Sequence, residues 1–324
     1  MTYDICCAGH MCTDVLVRPV DNLPDKGKLM LVDSVCLRTG GCAMNTAIDL
    51  SKLEAKTAMA GKVGGDSFGA FMKSALSENG VDVSGLKTGL GTDTSVSVVA
   101  ISSDGERSIL HSLGANRTLC FEDIDLSIVE KSRYLFVGGA FLLPAFDGAG
   151  MAKLFKFAGE KGVVTAMDTA WDATGQWLET LSPALVFLDW FLPSIEEAEQ
   201  MTGTGDERRQ AEFFLDSGVK NVAIKMGRDG CYVRPGDKKG VYYDALAVEV
   251  LDTSGAGDAW CAGFLAALAR GMDIGYAAMM GNATGALCVT EIGTTSGVRS
   301  FEETAAFLRD QTGVAGPAFH SGVE

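Results

Sequence analysis

The chain has 324 residues, 47% of them apolar, enough to bury a large core. A formal net charge of -15 and a pI near 4.7 exclude a phosphate-tracking basic stripe, so neither nucleic acid nor an anionic membrane is an expected partner. Anionic ligands must then be held locally, by backbone dipoles or a metal.

The first residues, MTYDICCAGHM, lack a basic stretch followed by an apolar one, so no secretory leader is expected, and no apolar run is long enough to span a bilayer. Continuous apolar segments of strand length follow at 3–9, 56–64, 134–141, 162–168, 184–192 and 221–227. Helix-period stretches at 43–53, 66–79, 149–160 and 206–217 lie between most of them. Continuous strands interleaved with helices predict a parallel sheet covered on both faces, a doubly wound α/β core. Two regions differ. Residues 95–102 and 107–113 flank a turn at Asp104 and Gly105, and the first alternates polar and apolar residues as a half-exposed strand does. Residues 15–38, broken at Pro19, Pro24 and Gly27, join them in a small β flap that serves as a lid, a dimer face or both. The tail from Thr312 is small and polar and is expected to be poorly ordered.

Nine cysteines without a C-x-x-C pair suit a reducing cytoplasm, where cysteine packs as a small apolar residue. His10, His111 and His320 are too far apart for a local metal motif, and each reads as a solvated or hydrogen-bonded structural residue.

Three constellations carry chemistry. TGGCAMN, 39–45, precedes a helix; Gly40 and Gly41 let a ligand lie against the backbone, and Asn45 both donates and accepts, which suits a polyol. A turn into a helix with Asn45 packed locally explains the same residues. Asp14 is a further candidate for hydroxyls, or a turn acid. IKMGRDGCYV, 224–233, places Lys225, Gly227 and Gly230 at a strand's carboxyl end, where open α/β sheets hold ligands. In DTSGAGDAWCAGF, 252–264, Gly255, Ala256 and Gly257 feed a helix and aim unpaired N–H groups at one point, an anion hole. Asp258, in the first turn, either complements the helix dipole or takes a proton from a hydroxyl attacking a phosphate there. There is no G-x-x-x-x-G-K-[ST], G-x-G-x-x-G or G-x-S-x-G, which excludes a P-loop, the usual dinucleotide fingerprint and a nucleophile elbow.

TGGCAMN and DTSGAGDAWCAGF, in this order, resemble the two signatures of the ribokinase-like (PfkB) carbohydrate kinase family, with similarity from YDICCAGHMCTD to GTTSGV. The resemblance implies a single ribokinase-like domain over 1–324. Its fold would be a three-layer α/β/α sandwich with a central mostly parallel sheet and a small β-sheet lid, formed by insertions at about 12–38 and 92–118. It implies ATP-dependent phosphorylation of a sugar or nucleoside hydroxyl, with ATP and magnesium as cofactors and, as in many members, potassium. Asp258 is then the base and Gly255, Ala256 and Gly257 the anion hole. Asp14, Gly40, Gly41 and Asn45 match sugar contacts; Lys225, Gly227 and Gly230 match the nucleotide loop, and Asn282 a position near the adenine. Asp252 and Ser254 match a monovalent-cation site. The chain departs where the family often has asparagine-x-x-glutamate: PSIEEAE gives Ser194 with Glu197, which would act on magnesium through water. Cys42 replaces the lysine common in ribokinases, and the tyrosine and arginine pattern of ketodeoxygluconate kinases is missing. The expected protein is a cytoplasmic kinase that phosphorylates a hydroxyl, a primary one, of a neutral monosaccharide and dimerises through its lid. A nucleoside kinase and a non-catalytic sugar sensor are the alternatives.

Overall fold

The computed structural model describes residues 2–236 and 238–314; the tail beyond Val314, with His320, lies outside the described residues. In chain order the strands are β1 (Tyr3–Gly9), β2 (Cys12–Arg18), β3 (Ser34–Gly40), β4 (Thr57–Gly64), β5 (Asp82–Gly89), β6 (Val96–Ile101) and β7 (Arg107–Ser112). They continue with β8 (Ser132–Ala140), β9 (Val164–Thr169), β10 (Trp190–Phe191), β11 (Asn221–Lys225), β12 (Cys231–Pro235) and β13 (Val241–Tyr243). The helices are α1 (Cys42–Lys52), α2 (Ser67–Glu78), α3 (Leu126–Glu130), α4 (Ala149–Glu160), α5 (Leu178–Leu185), α6 (Ile195–Thr202), α7 (Glu207–Asp216), α8 (Ala256–Ala269), α9 (Ile274–Cys288) and α10 (Phe301–Thr312).

Nine strands form one sheet in the order β13-β12-β11-β10-β9-β8-β1-β4-β5. Every neighbouring pair from β5 to β11 is parallel; β12 and β13 add an antiparallel edge. The central strand shows why the apolar runs are continuous. Ile5 and Cys7 of β1 pack into one core with Met44 and Ile48 of α1 and Phe264 of α8. Cys6 and Ala8, on the other face, pack with Leu154 and Phe155 of α4 and Phe214 of α7. Both faces are dry, so no polar alternation survives.

The run 184–192 reads as one strand, but the chain folds its first part into α5 and keeps only β10 extended. Leu181, Ala184 and Leu185 are buried along one face of α5, and an apolar run of this length satisfies either period. Thr312, expected in the polar tail, ends α10 instead.

A second, smaller sheet, the candidate lid, has four strands in the order β3-β2-β6-β7, from residues 12–40 and 96–112. Its strands pair β2 with β6 in parallel and the outer pairs antiparallel. Register puts Arg38, Asp14, Ser97 and His111 in one cross-strand row on one face. The next row, Leu37, Val15, Val98 and Leu110, faces the other way. His111 of the polar row faces His10, just past the carboxyl end of β1, where open parallel sheets place their ligands.

Candidate active site

The segment before α8 is the candidate anion hole. Gly255 caps the helix in the left-handed region, φ 77°, and a Cβ there would lie 2.1 Å from the Thr294 carbonyl oxygen, so a side chain has no room. Ala256 N–H makes only a long bond, 3.4 Å, to the Thr253 carbonyl, the N–H groups of Gly255 and Gly257 meet no carbonyl, and the turn carries the positive end of the helix dipole. Asp258 stands in that turn. Asn45 Nδ2 donates to its Oδ2 at 2.9 Å, while Thr294 Oγ1 donates to Asn45 Oδ1 at 3.1 Å. Both polar atoms of Asn45 are therefore engaged, and its side chain orients Asp258. Burial pushes the Asp258 carboxyl up to about 6 against the opposing pull of Asn45 and Lys225. The Cys42 thiol beside it is pushed well up by burial and by the Asp258 charge, so it stays neutral.

A second charge faces the same helix end. Lys225, at the carboxyl end of β11, is 9% exposed, and its Nζ lies 3.4 Å from where a Cβ on Gly257 would sit. It donates to Asp168 Oδ1 at 2.6 Å. Burial opposes the ammonium charge, yet the carboxylates of Asp168 and Glu197 outweigh it and hold its pKa above the usual value. Asp168, at the end of β9, is a functional candidate that motif reading missed. The available signal was its position as the last residue of an apolar strand in a parallel sheet.

Ser194 and Glu197 form a capping box at α6: Glu197 N–H donates to Ser194 Oγ, and Ser194 N–H donates to Glu197 Oε2 at 2.9 Å. Thr169 Oγ1 also donates to Oε2, at 2.8 Å. The bridge between Ser194 and Lys225 brings this carboxylate beside the lysine.

On the lid side, Asp14 packs against Gly40 so closely that a Cβ on Gly40 would lie 2.3 Å from its Oδ2. Burial raises the Asp14 pKa. Gly41, φ 93°, crosses the His10 carbonyl oxygen, which a Cβ would approach to 2.7 Å. The glycines thus serve the close passage of strand, lid and helix as well as any ligand. His10 itself departs from expectation. It is neither solvated nor hydrogen-bonded: it is 7% exposed, and neither ring nitrogen has a partner.

Gly227 and Gly230 flank a single 3-10 turn after β11, with φ 56° and 87°. Asn282 is fully engaged with the chain itself: it accepts from Trp260 Nε1 at 2.8 Å and donates to the carbonyls of Tyr243 and Asp244 at 2.8 and 2.9 Å. It fixes the strand end beside that turn.

These features bring together a helix N-terminus, a carboxylate held in its first turn by Asn45 and a lysine beside it. A family model described as pfkB family carbohydrate kinase matches residues 2–300. The chain belongs to the pfkB family of carbohydrate kinases. This kinase is 27% identical over 300 residues to 2-dehydro-3-deoxygluconokinase of Bacillus subtilis, covering 88% of this chain and 91% of that one. It is 29% identical over 277 residues to a ribokinase of Haemophilus influenzae, covering 83% and 87%. Its fold is similar to that of Arabidopsis thaliana ribokinase complexed with ribose and ATP, with a TM-score of 0.83 at 22% identity over 95% and 99% of the two chains. It is a phosphotransferase with a ribokinase fold, and no helix among its described residues is long and apolar enough to cross a membrane.

One contact in this kinase ties lid to core. Arg107 of β7 reaches across the site to donate to Asp252 Oδ1 at 2.7 Å and to the Ser254 hydroxyl. Asp252 also accepts from Ser254 N–H at 3.0 Å and from Gly293 N–H at 3.1 Å. The hydrogen bonds to Ser254, Arg107 and Gly293 hold its carboxyl below the usual range even though partial burial opposes them. As they stand, the Asp252 and Ser254 side chains do not fit a monovalent cation, because a guanidinium already occupies their oxygens.

Proposed function

We propose that this kinase transfers the γ-phosphoryl group of ATP to a primary hydroxyl of a neutral monosaccharide. The observation that carries the reading is the Asp258 carboxylate, fixed by Asn45 at the mouth of an anion hole that Lys225 backs with a positive charge. A carboxylate there repels a phosphate unless it has a task, and the task is to take the proton of the attacking hydroxyl. The acceptor oxygen attacks in line while Asp258 removes its proton. The N–H groups of 255–257 and the Lys225 ammonium stabilise the charge spreading over the transferring oxygens.

The nucleotide runs along the turn from Gly227 to Gly230, and Asn282 supports its far wall by holding the 243–244 carbonyls. Glu197 fits a magnesium ion that arrives on the nucleotide, since its Oε2 is held by Ser194 and Thr169 and its Oε1 is left for one of the ion's waters. No cluster of three or more ligating side chains occurs among the described residues, which suits an ion carried largely by phosphates. Magnesium would neutralise charge on those phosphates. Arg107 supplies the positive charge at Asp252.

Asp14 and the backbone of Gly40 and Gly41 receive the sugar. A carboxylate at that point accepts from hydroxyls and repels a carboxylate or phosphate, which favours a neutral acceptor over the acid of the Bacillus relative. The test is ATP-to-ADP turnover by purified protein with magnesium across neutral sugars, sugar acids, sugar phosphates and nucleosides. Turnover stimulated most by a neutral sugar is expected. A nucleoside preference would replace the acceptor class, and a tight sugar complex without ATP consumption would favour a sensor.

The same reading includes a homodimer through the lid. Its outward row carries Leu37, Val98 and Leu110 at 40%, 36% and 69% exposure, an apolar face that water covers poorly. Sedimentation at micromolar concentration is expected to give a dimer, and Leu110→Glu to shift it to monomer; a monomeric parent chain would sink this element. The cysteines are free, which favours a reducing cytoplasm.

A further inference from the structure

We propose that His10 and His111 form a pair of uncharged imidazoles, one from the core and one from the lid, that reads substrate hydroxyls remote from Asp258 and so sets acceptor specificity. The inference rests on the kinase reading above and names residues that reading leaves without a role.

His10 follows β1 at the carboxyl end of the sheet. Its backbone is fixed on both sides: its N–H donates to Gly138 and its carbonyl accepts from Ala43, at 2.9 and 3.1 Å. The bare backbone of Gly139 makes room for the ring, since a Cβ there would lie 2.4 Å from His10 Cβ. The imidazole is thus placed with care and then given no partner, although both nitrogens are sealed from solvent. Buried polar atoms in folded chains are nearly always paired, and leaving them bare is costly. Structural packing alone is better served by an apolar side chain of the same shape.

The ring faces His111 at a centroid distance of 5.9 Å, nearly edge to face. His111 comes from β7, and its Nδ1 lies 3.1 Å from Ser97 Oγ, which in turn lies 3.2 Å from Cys12 Sγ. Asp14 shares the cross-strand row, and Gly41 passes over the His10 carbonyl. Histidine, serine and carboxylate therefore converge where the small sheet meets the core.

Charge selects the ligand class. Burial, and the neighbouring His111, push His10 down to about 3, and burial lowers His111 as well. Both rings are neutral at neutral pH, each with one donor and one acceptor, which matches a hydroxyl. The guanidinium on the same row, Arg38, is exposed and folds back to its neighbour's carbonyl at Leu37, 3.1 Å away. A carboxylate or phosphate at this end would meet Asp14 and two uncharged rings.

The test uses the full-length protein with D-ribose, D-fructose, D-gluconate and D-ribose 5-phosphate as probes, in steady-state kinetics and in calorimetric binding without ATP. Wild type is expected to prefer a neutral sugar. His10→Phe and His111→Phe are each expected to weaken its binding and raise its KM by about ten-fold or more, with a smaller loss in kcat and an unchanged KM for ATP. His10→Asn, which keeps a donor and an acceptor, is expected to restore part of the loss. Thermal unfolding is followed for each variant; if His10→Phe does not fold, His111→Phe, on an exposed strand, decides. Unchanged sugar KM and affinity in the folded variants would overturn the inference alone; preference for the acid or the phosphate would overturn it together with the neutral-acceptor reading. Silence of wild type in turnover with no sugar binding would overturn the kinase reading and this inference together. Silence with binding that the variants weaken would overturn the first and support the second.

Discussion

Asp258→Asn is expected to lower kcat by about 100-fold or more while the KM for ATP stays near that of the parent. The substitution keeps the shape of the side chain and its place in the first turn of α8 but removes the proton acceptor. The pH profile gives an independent reading. Burial raises the Asp258 pKa to about 6, and the base works only when ionised. The kcat of the parent enzyme should therefore be flat above about pH 7 and fall as pH drops through 6, and this acid limb should vanish in the variant. A variant within a few-fold of the parent rate would remove the base assignment and leave Asp258 as a dipole-complementing acid. Asn45 is the matching positioning residue, since its donor at 2.9 Å and its acceptor bond from Thr294 leave it a single orientation.

Lys225→Met is the second large effect. If the ammonium stabilises charge on the transferring phosphoryl group, its removal should cost about 10²–10³-fold in kcat with little change in sugar affinity. A purely structural ion pair makes a different prediction. Losing Lys225 leaves Asp168, whose side chain is 3% exposed, without its partner; burial already pushes its carboxyl up to about 7, so it takes up a proton, and the unpaired acid should destabilise the fold by about 1–3 kcal/mol. The double variant Lys225→Met with Asp168→Asn removes the unpaired acid. It should regain most of the unfolding temperature and none of the activity. Recovery of turnover in the double variant would reduce the pair to a structural one.

Much of the core and the chemistry of the mouth of α8 could be read from the residues alone. A run such as YDICCAG implies a strand buried on both faces, because its neighbours in sequence point to opposite sides and all are apolar. DTSGAGD implies an anion hole, because glycine in the left-handed region and a first-turn acid are both local features. The run 184–192 marks the boundary of that method, since apolar residues without polar punctuation satisfy a helix and a strand alike. The partnerships in the site lie beyond it. Asn45 meets Asp258 across 213 positions, Arg107 meets Asp252 across 145, and Lys225 meets Asp168 across 57. Periodicity and capping act over one or two turns of chain and say nothing of such pairs. They follow from strand order, which sets β1 between β4 and β8 and lines up the carboxyl ends of β9 and β11, and from the lid folding back over that edge. The sequence by itself determined the family signatures and the residues put forward as carriers of the chemistry. The packing of two sheets against shared helices decided which of them touch, because that choice is made by the burial of surfaces far apart in the chain.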